Sequence, residues 1–254
     1  MWIVRRALVV WTGVVTAAVG IWAGGAIAAG GGGGGAATDQ AGMTATRAKR
    51  LERAELLVEI NETDGDAGLQ VFLDGRPWKA ITIYGPNGHD ILAYRTRSEV
   101  RGYGMTELFS ESSEPPFTRF PIDEFKALFP EGEYRFVGRS IDGQRLVATA
   151  FLSHDFPNAP EIVRPADGAT VSSDGTMFRW KPVPQPAGVE IVGYEVTFER
   201  EDPLRTFTVD LPPDARRIRI PGAYLEAGVD YSAEVLAVDA SGNRTLSNIT
   251  LTAG

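Results

Sequence analysis

The chain has 254 residues, a formal net charge of −8 and no cysteine. The missing thiols exclude disulfides, thiolate zinc sites, iron–sulfur clusters and cysteine nucleophiles. The acidic charge, unbroken by any basic stripe interleaved with aromatic residues, argues against nucleic acid as a partner. With 43% hydrophobic residues, a chain of this length can bury the core of one large or two modest domains.

The first 28 residues have the pattern of an export signal. Arg5 and Arg6 precede an apolar run from Ala7 to about Ala28, whose last three residues fit a small-x-small cleavage site. Left uncleaved, this run is long enough to span a bilayer. Residues 1–28 are therefore predicted to be a signal peptide or a membrane anchor. The protein is expected to be exported (periplasmic, extracellular or envelope-associated) and to meet a membrane only through an uncleaved N-terminal segment.

Residues 29–54 are predicted to be a flexible, glycine-rich linker, because six consecutive glycines begin at Gly30. Helix-forming residues dominate from Thr44 to Leu57, which predicts a short helix at the end of the linker. The basic residues of this stretch either contact anionic lipid beside an anchor or face solvent: Arg47, Lys49, Arg50 and Arg53.

Residues 55–156 show short runs of alternating apolar and polar residues, such as the run with Leu56, Val58 and Ile60. Turn-forming residues separate the runs, as is typical of antiparallel strands. Pro121-Ile122-Asp123 predicts one helical turn through Leu128, capped by Asp123. Leu128…Gly132…Tyr134 also weakly repeats Leu225…Gly228…Tyr231 further along the chain. We therefore expect an immunoglobulin-like β-sandwich here.

Residues 157–254 contain seven short runs with period-2 alternation, which predicts an antiparallel sandwich. The order of the punctuating residues resembles a fibronectin type III domain: Pro165…Gly168…Phe178-Arg-Trp180-Lys-Pro182…Gly193-Tyr194-Glu-Val196…Leu225…Gly228…Tyr231…Ala237-Val-Asp239-Ala-Ser-Gly242. The resemblance implies a core tryptophan at Trp180 and a leucine–tyrosine corner formed by Leu225 and Tyr231. These residues and Tyr194 are thus expected to be structural. The fold class predicted for the whole chain is all-β, with two sandwiches in tandem.

The chain offers few residues for catalysis. His89 and His154 are its two histidines, each beside an aspartate, and both are interpreted as surface residues. No Gly-x-Ser-x-Gly elbow and no phosphate-binding glycine loop occurs. We predict no catalytic residue and no cofactor. A small extracytoplasmic hydrolase that uses paired carboxylates remains the enzymatic alternative.

The acidic loop at residues 59–66 is a candidate calcium site, because carboxylates at alternate loop positions suit this cation. Its candidate ligands are Glu62, Asp64 and Asp66. Ala67 stands where an EF-hand requires glycine, and the same residues are ordinary in a turn between two strands. Calcium binding and a plain acidic turn therefore both stay open.

Residues 95–120 form a long irregular stretch, and such loops on a rigid sandwich often bind partners. The candidate binding residues are Trp78, Arg95, Arg97, Arg101 and Tyr103. A solvent loop with one edge strand is the alternative. The sequence therefore predicts a non-enzymatic extracytoplasmic binding or scaffolding protein that contacts an unidentified protein or glycan. A calcium-dependent adhesion or structural module is the second hypothesis.

Overall fold

A computed structural model describes residues 48–254, which form one compact unit. The predicted leader and the glycine-rich part of the linker lie outside the described residues. No helix among residues 48–254 has the length and apolar character needed to cross a bilayer.

The N-terminal module, residues 48–156, contains seven strands and two short helices. These are β1 Lys49–Arg50, β2 Arg53–Asn61, β3 Asp66–Tyr84, β4 Asp90–Arg95, α1 Val100–Tyr103, β5 Met105–Glu111, α2 Ile122–Leu128, β6 Gly132–Ser140 and β7 Arg145–Leu152. The C-terminal module, residues 157–254, contains eight strands. These are β8 Ile162–Arg164, β9 Ala169–Val171, β10 Gly175–Trp180, β11 Ile191–Glu201, β12 Leu204–Leu211, β13 Arg217–Pro221, β14 Asp230–Asp239 and β15 Arg244–Ala253.

The 19-residue strand β3 organises the N-terminal module because it pairs along both of its halves. Its first half pairs with β2 and β5, and its second half pairs with β4 and β6. The pairing with β5 shifts register between Asp74 and Trp78, around a bend that contains Pro77. Proline has no N–H group for a ladder bond, which favours such a break. The two halves of β3 enclose one hydrophobic core, with Leu73, Ile81 and Phe136 fully buried.

The C-terminal module is a sandwich of two sheets. A three-stranded sheet with the order β13-β10-β8 faces the strands β15, β14, β11 and β12. Phe178, Trp180 and Ile220 from the first sheet pack against Tyr194, Phe198 and Tyr231 from the second. The structure confirms the predicted all-β sandwich class and the fibronectin type III-like fold of this module.

Two local expectations are wrong in part. The described residues of the expected helix at residues 44–57 form β1 and the start of β2 instead. Pairing with β3 and burial of Leu56 outweigh the helix propensity of this stretch. The predicted turn at residues 122–128 is present as α2, but Asp123 does not cap it. Pro121 occupies the cap position, and Asp123 lies in the first turn.

A continuous sheet joins the two modules. The end of β2 pairs in parallel with the start of β15, so that Glu59, Ile60 and Asn61 lie opposite Arg244, Thr245 and Leu246. The backbone N–H of Glu62 adds a bond of 3.0 Å to the carbonyl of Leu246. The start of β15, which would otherwise be a sheet edge, is therefore covered by the N-terminal module.

The side chain of Asn243, which is 0% exposed, completes this junction. Its Oδ1 accepts a bond of 2.8 Å from the N–H of Val58. Its Nδ2 donates to the carbonyls of Ser153 and Asp155, at 3.0 and 3.1 Å. One amide thus satisfies three backbone groups of β2 and the connecting segment, and its burial leaves no room for a glycan on this Asn-x-Thr triplet.

We expect Asn243→Ala to lower the free energy of unfolding by about 2 kcal/mol, because the buried N–H of Val58 and the part-buried carbonyls of Ser153 and Asp155 lose their partner. Urea unfolding followed by tryptophan fluorescence measures the change. Asn158→Ala is the matched control, since its exposed amide makes one bond of 3.1 Å to the carbonyl of Pro184. Equal stability of the two variants would contradict this role of Asn243.

Candidate functional site

Four arginines project from the outer surface of the three-stranded sheet in the C-terminal module. Arg179 on β10 lies directly opposite Arg164 on β8 and directly opposite Arg217 on β13. Arg219 lies two residues further along β13, on the same side of the strand. All four side chains are exposed. We name these four residues the arginine face.

Like charges directly opposite each other destabilise a sheet. No ion pair between side chains of the described residues includes a member of the arginine face, although Lys181 close by pairs with Glu161 at 2.5 Å. Arg219 donates one bond of 3.3 Å to the backbone carbonyl of Asp174. The fold therefore carries a positive face in a chain of negative net charge.

An open cleft of about 700 Å³ adjoins the arginine face. Arg179 and Arg217 line it together with Val163, which is 47% exposed, and the edge of Trp180. Arg216 also lines the cleft, and its guanidinium lies over the ring of Tyr194 at 5.4 Å. Asp214 adds one carboxylate to the lining. The cleft thus combines three guanidinium groups with one carboxylate and some apolar surface, which suits a partner that has both anionic and apolar parts.

A second exposed group lies at one end of the N-terminal module. Val100, Tyr103, Met105 and Ile141 are 48%, 85%, 39% and 40% exposed. The N–H of Ile141 bonds the carbonyl of Pro77 at 3.0 Å, and a Cβ on Gly104 would lie 2.7 Å from the Ile141 side chain. Helix α1, the start of β5 and the β6–β7 turn therefore meet. We name these four apolar residues, with Arg97 and Arg101, the tip surface.

The predicted binding residues divide between surface and core. Arg95, Arg97, Arg101 and Tyr103 are exposed, and the last three belong to the tip surface. The assignment of Trp78 to the binding surface is wrong, because its side chain is 2% exposed and belongs to the hydrophobic core. Its strand is paired on both sides, with β5 and β6, and its side chain lies in the core of the N-terminal module.

The acidic loop is a hydrogen-bonded turn between β2 and β3. Asn61 Oδ1 accepts bonds from the N–H groups of Thr63 and Asp64 at 3.0 and 3.1 Å. Asp64 Oδ2 accepts 2.7 Å and 3.4 Å bonds from the amides of Asn61 and Asn248. Glu62 is exposed, and Asp66 lies opposite Asn61 in the ladder. The three predicted calcium ligands thus serve in a turn or start a strand.

A different set of carboxylates converges nearby. Glu59, Glu111 and Glu114 each place one oxygen within 4.8 Å of the others. Gln70, which is 5% exposed, donates bonds of 2.9 Å from Nε2 to Glu59 and to Glu111. Its own Oε1 is buried without a hydrogen-bond partner. Sequence reasoning missed this set because Glu111 and Glu114 lie on β5 and beyond, far from Glu59 along the chain.

The two histidines differ in their surroundings, and Tyr134 has a structural role. His89 is exposed, whereas the half-buried ring of His154 bonds the carbonyl of Phe129 through Nε2 at 2.8 Å. Burial raises the pKa of Tyr134 to about 12, and its hydroxyl donates to the carbonyl of Pro130 at 2.9 Å. The hydroxyl therefore stays protonated near neutral pH and keeps this bond.

The four residues predicted to be structural all lie in the core of the C-terminal module: Trp180, Tyr194, Leu225 and Tyr231. The rings of Trp180 and Tyr194 are 5.4 Å apart. The hydroxyl of Tyr231 accepts a bond of 2.9 Å from the N–H of Glu226 and donates one of 3.3 Å to the carbonyl of Tyr224. Tyr134 makes a similar corner in the N-terminal module, but Leu128 is 58% exposed and does not match Leu225.

No protein family and no curated protein matches the chain. In fold, it is similar to a two-domain fibronectin type III segment of chicken tenascin, at 13% identity and a TM-score of 0.30, over 80% of this chain and 98% of that one. It is also similar to the fn3 domain of human collagen alpha-1(XX), at 24% identity and a TM-score of 0.29, over 40% of this chain and 89% of that one. Because these TM-scores are low, the fold is assigned from the strand pairing described above and not from these similarities.

We expect Tyr231→Phe to lower the free energy of unfolding by about 1–2 kcal/mol, because the N–H of Glu226 and the carbonyl of Tyr224 lose a shared partner. Chemical denaturation measures this change. Tyr103→Phe removes the same hydroxyl at a position that is 85% exposed and should leave stability unchanged. A loss of similar size in both variants would rule out the corner as its cause.

Proposed function

We propose that the protein is a non-enzymatic, extracytoplasmic binding or scaffolding module that holds an anionic protein or glycan partner on the arginine face. The observation that carries this proposal is the direct cross-strand alignment of Arg164, Arg179 and Arg217. Each guanidinium can bind a carboxylate, sulfate or phosphate through two parallel N–H bonds. A partner with several such groups would relieve the repulsion along the row.

The chemistry of the arginine face supports a partner of negative charge and argues against a neutral one. The net charge of the chain is −8, so long-range attraction for an anionic partner must come from a local positive field. Such a field raises the association rate and orients the partner. The exposed apolar side chain of Val163 lies beside it in the cleft and would add contact area.

The junction between the modules supports a scaffolding role. Because β2 and β15 share a ladder and Asn243 bonds three backbone groups of the N-terminal module and the connecting segment, the two modules form a single unit. A partner bound to one module is then held in a set orientation to the other. The predicted export signal supports an extracytoplasmic setting. Because the chain has no cysteine, its folding there does not depend on disulfide formation.

We expect Arg179→Glu/Arg217→Glu to weaken binding to immobilised polyglutamate and to polygalacturonate by at least tenfold, because the row loses two cations and gains two anions. Surface plasmon resonance at several salt concentrations measures affinity and its salt dependence. Arg119→Glu/Arg135→Glu makes the same charge change at exposed positions of the N-terminal module and is the control.

The same row predicts a gain in stability when one charge is removed. Arg179→Gln should raise the free energy of unfolding by about 0.5 kcal/mol at low salt, while it weakens binding. If the double reversal leaves binding to both polyanions intact, the arginine face is not the binding surface. If the double reversal weakens binding but Arg179→Gln lowers the free energy of unfolding, then Arg179 makes a favourable contact within the chain and the repulsion argument is wrong.

A calcium-dependent structural module is the second candidate, and the convergence of Glu59, Glu111 and Glu114 is the observation that favours it. Carboxylate oxygens are the ligands that calcium prefers, and Gln70 could turn its amide to supply a further oxygen. The ion would tie β2, β3 and β5 together.

If this second candidate is correct, millimolar calcium raises the thermal midpoint of the wild-type protein relative to a chelator. Differential scanning calorimetry measures the shift. Glu111→Gln should abolish the shift, whereas Glu62→Gln in the acidic loop should keep it. A thermal midpoint that does not change with calcium would rule this candidate out. If Glu62→Gln alone abolishes the calcium-induced shift, the ion binds at the acidic loop instead.

A further inference from the structure

The described chain begins beside the tip surface. Strand β1 runs parallel to β7, with Lys49 opposite Leu146 and Arg50 opposite Val147. Strand β7 starts at Arg145, just after the β6–β7 turn that carries Ile141. The N–H of Leu51 bonds the carbonyl of Val147 at 3.1 Å, which holds this entry in place. Everything that precedes residue 48 therefore connects to the molecule at the tip surface.

The tip surface lies at the end of the N-terminal module that is farther from the C-terminal module. Strand β2 starts opposite Asp74, beside the bend of β3, and ends against β15. Strand β7 starts at the tip surface and ends at Leu152, next to Ser153, whose carbonyl bonds Asn243. Strands of eight and nine residues separate the two ends by about 25–30 Å.

The composition of this end is that of a membrane-interface segment. Four of its large apolar side chains are exposed, including Tyr103 at 85%. Exposed cations surround them: Lys49, Arg50, Arg76, Arg97, Arg101 and Arg145. Exposed apolar and aromatic side chains with Lys and Arg around them are what the boundary of an anionic bilayer attracts.

Acidic groups are fewer at this end. Glu52, Glu99, Glu107 and Asp142 are exposed there. The hydroxyl of Ser140 donates to Asp142 and holds the pKa of that carboxyl below its ordinary range, so the group stays ionised. Arg76 lies close enough to interact with this carboxylate and offsets its charge. Six exposed cations against these four carboxylates leave the balance of exposed charge at this end positive.

We propose that the tip surface binds the surface of a membrane that contains anionic lipids, with α1 and the β6–β7 turn at the headgroups and the C-terminal module pointing away. This goes beyond the arginine face, which lies on the other module and takes a different ligand. The apolar run at residues 7–28 is long enough to span a bilayer.

A lipid surface fits this group better than a protein partner does. The apolar residues come from two stretches of chain, residues 100–105 and the β6–β7 turn, and they are ringed by cations. Membrane binding of this kind needs buried apolar area and positive charge rather than shape complementarity. Cations near an anionic leaflet are attracted to it, and their contributions add, so several together strengthen binding.

The absence of cysteine allows a direct test by site-specific labelling of the full-length chain. Gly102→Cys receives an environment-sensitive nitrobenzoxadiazole label beside Tyr103, at a position where an added Cβ meets nothing within 4 Å. Leu204→Cys is the control, because Leu204 is 60% exposed at the end of the C-terminal module farther from the junction. Each variant is reconstituted in phosphatidylcholine vesicles with and without phosphatidylglycerol.

We expect the label at residue 102 to brighten severalfold and shift to the blue in vesicles with phosphatidylglycerol, and to be quenched by nitroxide lipids. The label at residue 204 should not respond. Arg97→Glu/Arg101→Glu should remove the response at residue 102, and high salt should weaken it. Arg179→Glu/Arg217→Glu should leave it intact, so failure of this proposal and failure of the arginine face are told apart.

Three results would overturn the proposal. The label at residue 102 could stay in water on anionic vesicles, which means that the tip surface does not reach lipid. Both labels could respond alike, which means non-specific adsorption. The label at residue 102 could become shielded from water in detergent without vesicles, and more so as the protein concentration rises. That result means that a second copy of the chain covers the tip surface.

Discussion

The buried amide of Asn243 is the interaction on which the arrangement of the two modules depends. It has both an acceptor and a two-hydrogen donor, and it uses them on Val58, Ser153 and Asp155. The N–H of Val58 is buried and the two carbonyls are part-buried, so leaving them without a partner costs stability. The short parallel ladder between β2 and β15 is held in register by this side chain. The orientation of the tip surface relative to the arginine face follows from that register.

This arrangement separates two positive surfaces on an acidic chain. The arginine face belongs to the C-terminal module, and the tip surface lies at the remote end of the N-terminal module. Strands β2 and β7 both run from the tip surface to the junction, so strand length sets the distance between the tip surface and the C-terminal module. The exposed arginines of the two surfaces give local positive fields on a chain whose net charge is negative.

The core was predictable from the sequence, but the surfaces were only partly so. Phe178 and Trp180 are two residues apart and so share a face of one strand, which alternation reveals directly. Trp78 follows a bend, and nothing in its local pattern shows that its strand pairs with both β5 and β6 or that its side chain lies in the core. Glu59 and Glu111 are brought together by pairing through β3. Val100 and Ile141 become neighbours only because α1 and the β6–β7 turn meet over the same bend.

The sequence by itself determined where most strands form and which of their faces are apolar, because residue periodicity acts over a few neighbouring positions. The order of prolines, glycines and aromatic residues in the C-terminal module added the resemblance to a fibronectin type III domain. The tertiary structure alone decided that Arg164, Arg179 and Arg217 stand in one row, that β2 extends the sheet of the other module, and that the chain enters at the tip surface. These depend on strand register and on pairing between residues far apart in the chain, which no local pattern specifies.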